Sequence, residues 1–207
     1  MKTNYNIRLE TEKDYKEVEN LVREAFWNVY RPGCMEHYLI HELRKNPDFI
    51  RELDFVMERD GKIIGQNAFT KAEIITDDDA HIPVLTMGPI CVANELKRQG
   101  YGKALLDYSL AKATELGYGA VCFEGNIDFY SKSGFILASK KKIHYEGEPR
   151  DAVVPYFLLK ELKQGYLDGV EGVFYQPMGQ YADEAAAEEF DKQFPEKEKL
   201  KLPGQLI

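Results

Sequence analysis

Apolar and polar positions along this chain of 207 residues follow two periods, and the switches between them mark out its elements. Tyr5, Ile7 and Leu9 alternate with polar neighbours and predict a short first strand. Thr11 and Asp14, three apart, form a variant of the capping box ahead of a helical stripe of Tyr15, Val18, Leu21, Val22, Ala25 and Phe26. Arg31-Pro32-Gly33 breaks that stripe, and a second helix is predicted from about Met35 to Arg44, stopping before Asn46-Pro47. The runs 55–59 and 62–66 flank Asp60-Gly61, the signature of a tight hairpin. Its second arm continues through Ala68, Phe69, Ile74 and Ile75, and the acidic triplet Asp77-Asp78-Asp79 begins a solvated turn back.

The chain then reaches its most informative stretch. Val84, Leu85, Ile90, Cys91 and Val92 read as a buried strand, interrupted by Gly88-Pro89, where a ladder loses a donor and a bulge is expected. After the turn Lys97-Arg98-Gln99-Gly100-Tyr101-Gly102-Lys103, a helix is predicted from Leu105, Leu106, Ser109, Leu110, Ala113 and Leu116, with Gly117 at its C-terminus. Residues 118–123 form the next strand, apolar enough to be buried on both faces. Ile136 and Leu137 predict a sixth strand and residues 155–162 a seventh, with 172–176 adding one more short one. Lys140-Lys141-Lys142 between them reads as a solvated face.

A strand, a glycine turn and a helix suit an anion, because the first backbone N–H groups of a helix have no internal partner. Spacing separates the known versions of this device. A P-loop needs four residues between its first glycine and Gly-Lys and then Ser or Thr, whereas here only Tyr101 separates the glycines and Ala104 follows Lys103. A dinucleotide fingerprint needs a third glycine where Leu105 stands. What remains is Gln/Arg-x-x-Gly-x-Gly/Ala, and on Lys97, Gly100 and Gly102 the sequence resembles the GNAT superfamily of acyl-CoA-dependent N-acetyltransferases. Lys97 at the Gln/Arg position keeps a charge and loses the planar fork. A second signature is Phe129, Tyr130, Gly134 and Phe135, matching the family's Phe-Tyr-x-x-x-Gly-Phe one helix and one strand later. The likeness covers about residues 5 to 178 and is to a poorly characterised bacterial branch of the superfamily.

The resemblance implies an α/β (α+β) fold: a mixed, mostly antiparallel central sheet of about seven strands, splayed at the cofactor site and flanked by helices on both faces. It implies acetyl-CoA as cosubstrate and assigns the coenzyme's diphosphate to the backbone from Arg98 through Gln99, Gly100, Tyr101 and Gly102 to Lys103, with Lys97 beside it. Ile90, Cys91 and Val92 fall against the pantetheine arm, Ile90 and Val92 through their main chain, and Asn126 joins the cofactor-binding set. Tyr130 takes the place of the tyrosine that protonates the departing thiolate. The first two helices and their connection shape the family's acceptor pocket, which makes Trp27, Tyr30, Glu36 and Tyr38 acceptor candidates.

The general base is fixed by no motif. Glu124, at the end of the strand before Asn126, is the first candidate, and Glu36 and Glu73 follow it. Cys91 near the coenzyme raises a ping-pong route, but no histidine is placed by sequence to activate it, so direct transfer in a ternary complex is expected. The rival reading is an acyl-CoA sensor or interaction module that kept the cradle without catalysis. His37 and His41, four apart, lack the His-Glu-x-x-His arrangement and a third ligand, and no metal is expected.

Composition narrows the partners. With 35 acidic against 27 basic residues, the net charge of −8 repels a phosphate backbone and argues against nucleic acid, while leaving a cationic amine welcome. Hydrophobic residues make up 44% of the chain, yet no segment approaches the roughly 20 apolar residues of a membrane span. Cys34, Cys91 and Cys122 are scattered and odd in number, which predicts free thiols and a cytoplasmic protein. Two parts are expected: an acetyltransferase domain over 1–178, and a C-terminal helix and tail over 179–207. In the latter, Tyr181, Ala185, Ala186, Phe190 and Phe194 share a face that docks on the body or, in a homodimer, on a second subunit.

Overall fold

The structure, a computed structural model, describes residues 4–205. Its contacts divide into two compact units, one of residues 4–68, 89–105 and 178–205 and the other of residues 69–88 and 106–177. The strands β1 (Asn6–Leu9), β2 (Phe55–Arg59), β3 (Lys62–Thr76), β4 (His81–Val92), β5 (Ala120–Glu124), β6 (Ile136–Leu137), β7 (Ile143–Tyr145), β8 (Phe157–Glu161) and β9 (Gly172–Tyr175) are hydrogen-bonded in the order β1-β2-β3-β4-β5-β8-β6, and β9 pairs with both β3 and β7. β3 and β4 are long enough to contribute a stretch to each unit. This is the mixed, mostly antiparallel sheet expected. The strand that sequence reading did not anticipate is β7.

In the first unit, β1 lies antiparallel to β2, and β2 turns into β3 through Asp60 and Gly61, both at positive φ (51° and 73°) as a two-residue hairpin of primed type demands. A register shift between Met57 and Glu58 sets Gly65 opposite Met57 and Gln66 opposite Val56. Alternation then sends these neighbours to opposite faces. On the Val56 face, Ile63 and Ala68 pack with Val18, Leu21, Val22 and Ala25 of α1 (Tyr15–Phe26) and with Ile40 and Leu43 of α2 (Glu36–Leu43). On the other face, a Cβ added to Gly65 would stand 3.2 Å from the Leu105 side chain of α3 (Tyr101–Glu115), so the helix lies directly on the strand there. α1 starts where Asp14 accepts the Thr11 N–H and hydroxyl, each at 2.8 Å. Arg44, just past α2, anchors that helix by donating to Glu10 and Glu19 at 2.7 Å.

The C-terminal segment belongs to this same unit, where its contacts are made in cis. Asp183 caps α5 (Glu184–Asp191) by accepting the Ala186 N–H at 2.7 Å. Of the expected apolar face, Phe190 is buried, joined by Ala187, while Ala185 is exposed. Arg23 of α1, 1% exposed, donates to Asp191 from Nε at 2.6 Å and from Nη2 at 3.2 Å, and to the Pro195 carbonyl at 3.0 Å. Trp27 Nε1 and Asn28 Nδ2 both donate to the Glu198 carbonyl, at 2.9 and 3.0 Å.

In the second unit, β5 pairs antiparallel with β8 along its whole length, and β8 in turn with β6. β9 runs antiparallel to β3 from Glu73 to Thr76 and parallel to β7. Ile74, Val84, Ala120, Cys122, Ile143, Phe157, Leu159 and Phe174 form its core. The parallel pairing of β4 with β5 amounts to one residue pair, Leu85 with Val121. Beyond it β4 runs on through Gly88, at φ 146°, and Pro89 to Val92. Among the described residues, no helix is long and apolar enough to cross a membrane.

Candidate active site

The glycine turn lies in the first unit. Arg98 and Gly100 are both left-handed, with φ 63° and 92°, and residues 97–100 are exposed. A Cβ placed on Gly100 would meet nothing within 4 Å, so open space lies over the backbone there. Ala104 N–H donates to the Gly100 carbonyl at 3.0 Å, so the amides of Tyr101 and Gly102 lie in the first turn of α3, ahead of that helical bond. Alternating left-handed residues followed by a helix N-terminus make a concave row of donors, a fit for a diphosphate that needs no side-chain cation. Tyr101 is held by Arg59, whose guanidinium donates to its hydroxyl at 2.7 Å, and by the edge of Tyr5.

Lys97 does something the motif did not anticipate. Its Nζ donates to the Ala25 carbonyl at 3.0 Å, and Asn94 Nδ2 donates to the Glu24 carbonyl at 2.8 Å, so the turn caps the last carbonyls of α1. Gln99 folds back onto the Glu95 carbonyl at 2.8 Å. Ahead of the turn, Ile90 is half-buried and Cys91 and Val92 are buried. Burial pushes the Cys91 thiol up to about 12, so it stays protonated at neutral pH and is a poor nucleophile.

The acceptor candidates of this unit separate. Trp27 lies under the Arg23 guanidinium at 4.2 Å and Tyr38 meets Phe190 at 5.5 Å with the rings inclined at 49°, so both face the C-terminal segment. Tyr30 is 48% exposed and leans on Phe26. Glu36 accepts the Met35 N–H at 2.9 Å, and burial raises its carboxyl above the usual range. His37 and His41 are four apart but hold different partners: Asp191 and Cys34 for the first, at 3.1 and 3.3 Å, and Glu19 for the second, at 2.9 Å.

The second unit supplies the other chemistry. β5 ends at Glu124, whose exposed carboxylate accepts the hydroxyl of Tyr145 from β7. Asn126 caps the short helix α4 (Ile127–Tyr130) by accepting the Asp128 N–H at 2.9 Å, which gives its side chain a local structural task. Tyr130 is half-buried, and its ring meets Phe123 at 4.6 Å, Phe129 at 4.8 Å and Phe135 at 5.8 Å, all near edge-on. Its ring lies so close over Gly125 that a Cβ there would stand 2.6 Å from it. The Gly-Phe half of the second signature has its own reason: Gly134 is left-handed at φ 87°, closing the turn, and Phe135 is buried. Glu73 is half-buried and bound to His81 at 2.9 Å. Sequence reading missed Tyr145 and the solvent-facing placement of Tyr156; the alternation of Ile143 and Tyr145 after the lysine run was the available signal.

Residues 52–137, which include the glycine turn and the whole of the second signature, match the family model described as an acetyltransferase (GNAT) domain. The uncharacterized N-acetyltransferase YhbS of Escherichia coli K12 is 28% identical over 168 residues, 81% of this chain and 93% of that protein. The crystal structure of YhbS from Escherichia coli in complex with CoA superposes with a TM-score of 0.73 at 25% identity, covering 85% of this chain and 91% of that one. A GNAT family acetyltransferase from Brucella melitensis in complex with acetyl-CoA shares the fold, with a TM-score of 0.66 at 21% identity over 84% of this chain and 97% of its own. Residues 52–137 thus match a GNAT acetyltransferase domain, and most of the chain is similar to the YhbS N-acetyltransferase.

Proposed function

We propose that the protein moves the acetyl group of acetyl-CoA directly onto a primary amine of a small molecule, peptide or protein. The observation that carries this reading is the exposed backbone turn from Arg98 to Gly102, opened by two left-handed residues and backed by the N-terminus of α3. Bound there, acetyl-CoA supplies the acetyl group as an activated thioester.

The chain's own residues divide the remaining work. An amine resembling lysine has a reference pKa near 10.4, so at pH 7 its reactive neutral form is scarcer by about 3.4 units, or about 4.6 kcal/mol. Glu124 is the residue assigned to take the proton from the amine nitrogen, supported by its exposed place at the end of β5 and by the Tyr145 hydroxyl that orients it. Tyr130 is assigned to give a proton from its hydroxyl to the departing sulfur, supported by the aromatic packing that fixes its ring. The protonated state of the Cys91 thiol favours direct transfer over an acyl-enzyme on cysteine. The reading includes a cytoplasmic setting, supported by three buried, free cysteines.

The test is a panel of diverse amines with acetyl-CoA, read by release of free thiol. Turnover with at least one primary amine, lost in Glu124→Gln, is the expected result. A protein that binds acetyl-CoA yet transfers to no amine is a sensor, and the proposal then fails.

A further inference from the structure

We propose that the end of β5 is a seat for a cation, formed by the faces of Tyr145 and Tyr156 and the carboxylate of Glu124, and that the acceptor is therefore an aliphatic ammonium recognised in its charged form. This rests on the reading above, in which Glu124 stands beside the acceptor nitrogen.

The geometry comes from the backbone outward. The Gly125 N–H donates to the Tyr156 carbonyl at 2.7 Å, which pins Tyr156 to the residue after Glu124. Tyr145 arrives from β7, its ring backed by Phe157 at 5.1 Å and Phe174 at 6.2 Å, so its orientation is set by the core. The two tyrosine rings are 6.0 Å apart and inclined at 80°, giving a corner with two aromatic walls. Tyr156 is 41% exposed, so the corner opens to solvent. Glu124 closes it: one of its oxygens accepts the Tyr145 hydroxyl, and a carboxylate has lone pairs for several donors, so an ammonium can bond to the same group.

An ammonium within about 6 Å of an aromatic centroid is drawn to the ring face, and the attraction strengthens as water is excluded. A carboxylate at the same corner adds a direct charge pair. Neither attraction acts on a neutral isostere, and both act on any alkylammonium. The seat collects the abundant charged form, and one proton then passes from the amine nitrogen to the Glu124 carboxylate, leaving the nitrogen lone pair free to attack.

The experiment uses the full chain and two probes of matched shape, choline and its uncharged isostere 3,3-dimethylbutan-1-ol, titrated with and without CoA by calorimetry. Choline is expected to bind about tenfold more tightly than the alcohol. Tyr156→Phe should keep that preference, since the ring face remains, while Tyr156→Leu should erase it. Glu124→Gln provides a second, isosteric variant and should weaken choline without changing the alcohol. Equal binding of the two probes, or choline binding unchanged in Tyr156→Leu, overturns the seat whether or not CoA binds. If discrimination is absent while acetyl transfer proceeds to a neutral aromatic amine, the transferase reading stands and this inference falls.

Discussion

Removing Asp191 should be among the most damaging single changes in the molecule. Arg23 is 1% exposed, and its charge is met by two hydrogen bonds to Asp191, one to the Pro195 carbonyl, and the faces of Trp27 and Phe194 at 4.2 and 5.4 Å. Asp191→Ala leaves that guanidinium buried with one neutral acceptor. Breaking such a pair costs about 3–5 kcal/mol. Asp191 is itself 18% exposed and Glu24 lies 3.9 Å from Arg23 Nη1, so some compensation is at hand, and a loss of about 3 kcal/mol is expected. For a chain of this length that is a fall in Tm of roughly 6–12 °C. Trp27, the one tryptophan, sits over Arg23 and reports the event in a urea titration followed by fluorescence. Replacing both charges, in Arg23→Met with Asp191→Leu, should recover most of the loss, because it is the orphaned charge that is costly. A single-variant loss below about 1 kcal/mol would refute the reasoning, since the pair would then behave as a solvated surface bridge.

Three further outcomes are expected. Tyr130→Phe should lower kcat about 10²-fold with acetyl-CoA affinity intact, because a thiolate of pKa near 8.5 leaves tolerably without an acid; unchanged kcat where chemistry limits the rate removes Tyr130 from the mechanism. Gly100→Val should abolish the thermal stabilisation by acetyl-CoA, about 2.7 kcal/mol at 100 times Kd, since a branched residue is strained at φ 92°; an undiminished shift in the variant counts against the turn as the cradle. Burial lowers the pKa of His37 to about 4, so above pH 6.5 the histidine adds no penalty, and as pH falls toward 4 the unfolded chain binds a proton the fold refuses. Stability should drop by about 2 kcal/mol between pH 6.5 and 5 in urea titrations, and His37→Gln should lack that slope; parallel profiles would exclude His37 as its source.

What could be read from the sequence is what local chemistry decides. Asp60-Gly61 names its hairpin and Gly117, at φ 89°, its helix end, because positive φ is rare enough to restrict the residues that adopt it. The glycine turn and the Phe-Tyr signature were legible for the same reason. β7 was hidden by the lysine run: Lys140 and Lys142 are exposed, as a solvated face requires, but Lys142 is also left-handed at φ 57° and pairs with Glu171 while Lys141 pairs with Glu161, so the run doubles as the turn into β7. The directions of Trp27 and Tyr38 depend on a segment roughly 150 residues downstream, and no periodicity in α1 or α2 reports it. Asn126 reads as a ligand by motif and acts as a cap by geometry, a competition that only the backbone decides.

Lys97 and Asn94 make the glycine turn and α1 a single hydrogen-bonded joint. The carbonyls they hold, Glu24 and Ala25, end the helix from which the chain departs toward Tyr30 and Glu36. A diphosphate that draws the turn toward itself therefore pulls on the root of the segment carrying two acceptor candidates. Reciprocity then applies: whatever factor the first substrate applies to the affinity for the second, the second returns to the first. Each substrate should therefore change the dissociation constant of the other by the same factor, and Lys97→Met, which cuts the joint and leaves the backbone cradle, should bring that factor toward one.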